Sequence, residues 1–88
     1  MHTLCIDVGN SNTHYGLASG QSVVSSGHFT TKFLKEASLK DFLELLAPLS
    51  ERANRISFCS VVPSINENLE THLAGFKLPI FHLTHKSC

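Results

Sequence analysis

The amino-acid sequence predicts an α/β domain in which a short antiparallel meander is followed by helices that cross over to parallel strands. Three observations carry that reading. Two mainly apolar runs, Thr3 to Val8 and Arg55 to Val62, have the length and continuity of strands inside a sheet. Between Thr13 and Thr31, two β-rich stretches are joined by Ser19-Gly20-Gln21, which reads as a tight connection. Two later segments repeat apolar residues at helical spacing, and each carries the pattern of a capping box.

In chain order, Thr3 to Val8 alternates poorly, so this strand is expected to be covered on both faces in the middle of the sheet, ending at Gly9. A polar turn leads to a strand from Thr13 to Ala18, and Ser22 to Thr31 resumes a β pattern, giving three sequential antiparallel strands. Ser38 caps a helix whose box is completed by Asp41; Leu39, Phe42, Leu43 and Leu46 recur at helical spacing, and Pro48 lies near its end. Arg55 to Val62 is the next strand, stopped by Pro63, which cannot donate to a ladder. Ser64 and Glu67 form the second capping box. Ile65, Leu69, Leu73 and Phe76 share a face of that helix, with Gly75 near its C-terminus and Pro79 beyond as a stop. A last short strand covers Ile80 to Thr84. The order β-β-β-α-β-α-β gives a mixed sheet with three antiparallel and two further parallel strands, a ribonuclease-H-like α/β layout. No repeat, low-complexity tract or linker interrupts it, so residues 1–88 read as a single domain.

Composition narrows the function classes. A domain of 88 residues buries little more than roughly 60% of its unfolded surface, so modest stability is expected. Seven basic residues balance seven acidic ones, leaving no electrostatic footprint for nucleic acid or an anionic membrane. No apolar run approaches the roughly 20 residues of a membrane span, and no basic region with a hydrophobic stretch and cleavage site opens the chain; the expectation is a cytoplasmic protein. Cys5, Cys59 and Cys88 make an odd set. The first two sit in apolar strand-like runs where a free cysteine acts as a small hydrophobe, so a disulfide framework is not expected.

The run Asp7-Val8-Gly9-Asn10-Ser11-Asn12-Thr13 concentrates the chemistry. A carboxylate ends a strand, a glycine follows, and four small polar residues turn the chain back. Glycine permits close backbone approach and positive φ, successive N–H groups of a tight turn form an anion-binding nest, and Asn10, Ser11, Asn12 and Thr13 add short donors. Asp7 would repel a bare phosphate, so its useful role is to hold a hydrated Mg²⁺ that bridges phosphate oxygens. The same composition also suits an ordinary hairpin turn in which asparagine and serine satisfy local backbone groups.

Asp7 to Thr13 with Gly16-Leu17 resembles the first phosphate motif of type III pantothenate kinases, within the acetate/sugar kinase, Hsp70 and actin superfamily. Ser60-Val61-Val62-Pro63-Ser64-Ile65-Asn66 is similar to the Ser-Val-Val-Pro segment that this family carries after its fourth strand. The resemblance spans nearly the whole chain in element order, with serine at position 11 where threonine is usual and no distinctive motif between Phe29 and Asn54. It implies ATP-dependent phosphorylation of pantothenate at the first step of coenzyme A synthesis. It also implies Mg²⁺ held by Asp7, a monovalent cation (K⁺ or NH₄⁺), and a homodimer. Asp7, Gly9, Asn10, Ser11, Asn12 and Thr13 are then the nucleotide-binding residues. The family's general-base aspartate belongs to a Gly-Ala-Asp-Arg motif, and no Asp-Arg pair occurs in these 88 residues. The chain is accordingly expected to be the N-terminal domain of a longer enzyme, with the second domain absent and no turnover by itself. Two other readings stay open: a transcriptional regulator resembling Bvg accessory factor, which shares fold and motif, and a non-catalytic nucleotide-binding fragment.

Other residues weigh less. His82, His85 and Cys88 recur every third residue, but on an extended segment they point in different directions, against a zinc site. His14 lies beside the phosphate motif and reads as a surface histidine. Ser64 reads as a helix cap, and the N-terminus of its helix is a weak candidate for docking an anion.

Overall fold

The computed structural model describes residues 2–20 and 22–83. Its elements are β1 (His2–Val8), β2 (Asn12–Ser19), β3 (Ser22–Thr30), α1 (Thr31–Glu36), α2 (Leu39–Ser50), β4 (Arg55–Ser60), α3 (Pro63–Ala74) and β5 (Ile80–His82). The five strands form one sheet in the order β3-β2-β1-β4-β5. β1 pairs antiparallel with β2 and parallel with β4. β2 pairs antiparallel with β3, and β4 pairs parallel with β5. The mixed α/β sheet expected from the sequence is present. Thr84, His85 and Cys88, which the last strand and the zinc alternative invoked, lie outside the described residues.

One apolar cluster joins the sheet to all three helices. Leu4, Ile6 and Val8 of β1, Leu17 of β2 and Ile56 and Phe58 of β4 meet Leu34 of α1, Phe42 and Leu46 of α2, and Ile65, Leu69 and Leu73 of α3. Strand alternation places Leu4, Ile6 and Val8 on one face and Cys5 and Asp7 on the other, and the latter two are exposed. This corrects the expectation that β1 is covered on both faces. Cys5, Asp7 and the threonine at position 3 break the apolar run at every second residue, which is the pattern of a strand with one wet face.

Three local expectations also change. The third strand ends at Thr30, and Thr31 opens α1, a one-and-a-half-turn helix that the sequence reading did not contain. Ser38 does cap α2, accepting a hydrogen bond from the Asp41 N–H at 3.2 Å. Ser64, by contrast, is not a cap. Val62 occupies that position without a side-chain bond, and Pro63 starts α3 one residue earlier than the Ser64 box requires, since proline's fixed φ and missing N–H suit the first helical position. At the other end of α3, Gly75 is the C-cap, near the helix end as expected, with a helical φ of −63°, and the left-handed residue is Lys77 at φ 58°. Gly75 is instead tied to close packing, because a Cβ there would stand 3.1 Å from Leu43 Cδ2 of α2. Finally, Cys5 is free as expected but exposed, not packed as a small hydrophobe, and Cys59 is disulfide-bonded. Apolar surroundings bury a sulfur in either state, so the run around Cys59 did not distinguish them.

Candidate phosphate-binding site

The site is built where β1 and β4, neighbouring parallel strands, both end. Val61 N–H donates to the Val8 carbonyl at 3.0 Å, so the Asp7–Thr13 motif and the Ser60–Asn66 motif, over fifty residues apart, lie side by side. Ser60 stiffens the second of them: its Oγ accepts from the Val62 N–H at 3.0 Å and donates to the Val62 carbonyl at 3.2 Å. Ligand sites in α/β sheets favour this carboxyl-end position.

Beyond Val8 the chain reverses through Gly9-Asn10-Ser11-Asn12. Gly9 N–H donates to the Asn12 carbonyl at 2.9 Å and closes the turn. That approach accounts for the glycine, since a Cβ at position 9 would stand 2.9 Å from the same carbonyl oxygen. Positive φ, the other freedom expected of Gly9, is not used; among the described residues only Gly20 and Lys77 have it. The turn is pinned from below by Thr31. Its hydroxyl donates to the Gly9 carbonyl at 2.7 Å and its N–H donates to the Ser11 carbonyl at 2.9 Å. Among the described residues, the hydrogen bonds of this turn do not use the N–H of Asn10 or of Ser11. Two backbone donors are thus left without a protein acceptor on an exposed loop.

Asp7, Asn10, Ser11 and Asn12 are exposed and Gly9 is half-buried, so five of the six residues read from the motif stand together at the surface. The sixth, Thr13, is corrected in its placement. Its side chain is fully buried, with Oγ1 3.0 Å from Thr31 Oγ1, because β2 alternation turns it to the core face beside Val8. Asp7 pairs across the ladder with His14 on one side and Cys59 on the other. No ion pair among the described residues engages its carboxylate. Cys59 Sγ, with no thiol proton to donate, lies 3.3 Å from Asp7 Oδ1.

Asp7 and His14 also line a depression of about 450 Å³ on the open sheet face, floored by Cys5, Gly16, Ser57 and Cys59. The turn itself stands outside that lining. Burial pushes the Cys5 thiol above its ordinary range, and the Arg55 guanidinium partly offsets this. His14 and His28 are cross-strand neighbours with ring centroids 5.8 Å apart.

An exposed, unpaired carboxylate beside unspent amide donors fits a hydrated divalent cation carrying a polyphosphate. No group of three or more His, Cys, Asp or Glu side chains that could hold a metal ion occurs among the described residues. Mg²⁺ is typically held by one or two carboxylates plus water and substrate phosphates. Thr31 was not legible as a site residue. The available signal was the Lys32/Glu36 spacing in a run of helix formers; those side chains pair at 3.8 Å, and Thr31 is the residue that opens their helix.

Comparison with solved structures supports the ribonuclease-H-like α/β fold. RuvC from Thermus thermophilus superposes with a TM-score of 0.70 at 13% identity, covering 96% of this chain and 62% of that one. A ROK hexokinase from Thermus thermophilus gives a TM-score of 0.63 at 19% identity, covering 96% and 35%. A Ppx/GppA family protein from Aquifex aeolicus gives 0.56 at 14% identity, covering 99% and 36%. The chain therefore spans less than two thirds of the length of each of these structures. The family description for type III pantothenate kinase matches residues 3–88, and the chain belongs to that family. No curated protein sequence matches it.

Proposed function

We propose that this chain is the phosphate-gripping domain of a kinase that transfers the γ-phosphoryl group of ATP to pantothenate, the first step of coenzyme A synthesis. The observation that carries the reading is the turn at the end of β1, where the Asn10 and Ser11 N–H groups are unspent beside the exposed Asp7 carboxylate. Family membership supports ATP as the phosphoryl donor and pantothenate as the acceptor.

In this reading the amides and the Asn10, Ser11 and Asn12 side chains orient the polyphosphate. Asp7 would hold Mg²⁺, which would supply charge neutralisation for the polyphosphate. Phosphoryl transfer depends on positioning both reactants and stabilising charge from several sides. The 88 residues offer one such side, so the general base, the adenosine pocket and the monovalent cation site belong to further parts of a longer, dimeric, cytoplasmic enzyme. No helix among the described residues is long and apolar enough to cross a membrane. The zero net charge speaks against a nucleic-acid role.

Rescue of a strain lacking pantothenate kinase by the gene for the parent protein tests the reading. Growth, together with ATP-dependent phosphorylation of pantothenate by the purified parent, is the expected result. Failure of both would overturn the kinase reading in favour of a regulator like Bvg accessory factor. The isolated 88-residue chain is expected to show no turnover.

A further inference from the structure

Four carbonyls of the Gly9–Asn12 turn would each repel a bound polyphosphate if left pointing at it. Three of them are taken up within the protein. The Asn12 carbonyl accepts from Gly9 N–H, while those of Gly9 and Ser11 both accept from Thr31, through its hydroxyl at 2.7 Å and its N–H at 2.9 Å. Thr31 can serve both because of where it sits. It is the first residue of α1, and the opening N–H groups of a helix have no acceptor within the helix. Its side chain is 2% exposed, so its hydroxyl must find its partners inside the protein.

The direction of the hydroxyl chain follows from proton count. A threonine has one hydroxyl proton, and that of Thr31 goes to the Gly9 carbonyl. Thr13 must therefore donate across the 3.0 Å contact to Thr31 Oγ1. The result is a buried relay from Thr13 to Thr31 to Gly9, which fixes the rotamer of Thr31 beneath the turn.

We propose that Thr31 is a positioning residue for phosphate binding: it holds the Gly9 and Ser11 carbonyls and so leaves the Asn10 and Ser11 N–H groups as the turn's outward donors. The inference rests on the phosphate-binding reading of the turn. A residue that touches no ligand thus sets the polarity of the loop that does.

The test is titration of the chain with Mg·ATP, at a temperature where circular dichroism shows each variant folded. Thr31→Val keeps the branched shape and the N–H but loses the hydroxyl; it is expected to weaken binding roughly tenfold, about the effect of one hydrogen bond. Thr31→Ser restores the hydroxyl and is expected to bind like wild type. Leu73→Ala, in the core on the last turn of α3, is expected to lower stability without changing affinity. Should the valine variant fail to fold, Thr31→Ala carries the same expectation and demands no extra space. Wild-type affinity in the folded valine or alanine variant would overturn the proposal, making Thr31 a contributor to stability only. Absence of Mg·ATP binding by the wild-type chain would overturn the phosphate-binding reading itself, and this inference with it.

Discussion

At residue scale the site is a set of side chains sorted by strand alternation. β1 sends Leu4, Ile6 and Val8 to the core and delivers Asp7 to the surface at the last outward position before the turn. The next residue whose identity is fixed by geometry is Gly9. A methyl group there would meet the Asn12 carbonyl at 2.9 Å, closer than Cβ atoms tolerate, and the obstacle is backbone. Gly9→Ala is therefore expected to destabilise the domain by about 1–3 kcal/mol, measured by urea unfolding. An unchanged midpoint would mean that the turn relaxes freely and that the close approach does not hold it. The motif made the cluster of Asp7, Gly9, Asn10, Ser11 and Asn12 legible in the sequence. Thr13, assigned to the same cluster as a short donor, has its side chain buried, because a motif does not state which face of β2 its last residue occupies.

At the scale of elements, the helices show where local signals suffice and where they fail. Ser38 and Ser64 look alike in the sequence, each followed three residues later by an acidic side chain. Only Ser38 caps, because at the second site Pro63 already fixes the helix start. Ser38→Ala is expected to cost about 1 kcal/mol and Ser64→Ala less than about 0.5 kcal/mol, both read from thermal or urea unfolding. Equal losses would show that Ser64 caps after all. α1 escaped notice because six residues give little more than one turn of periodicity, too short for an apolar stripe. Its existence is a tertiary matter: Thr31 bonds the turn, Leu34 enters the core, and Phe33 packs on Phe29 at a centroid separation of 5.1 Å. Element order and the mix of antiparallel and parallel strands were legible for the opposite reason, since a meander followed by two helical crossovers builds such a sheet from long, recognisable segments.

For the whole molecule, the important asymmetry is a sheet with helices on one face and a carboxylate on the other. That other face carries Asp7, His14 and the 450 Å³ depression, while Val23 and Phe81, 69% and 48% exposed, add apolar surface near its edges. The two sequence motifs converge at one end of this sheet through the bond from Val61 N–H to the Val8 carbonyl, which no local reading specifies because it depends on β1 and β4 being neighbours. The central claim is that the turn beyond β1 receives a metal-bound polyphosphate through its free amides and Asp7. Backbone amide NMR during titration with Mg·ATP tests it most directly. The largest shifts are expected on the Asn10 and Ser11 N–H signals, greatly reduced in Asp7→Asn, which stays folded because the carboxylate it replaces is exposed and makes no ion pair among the described residues. Shifts confined to other regions, or the same shifts in the Asp7→Asn chain, would contradict it.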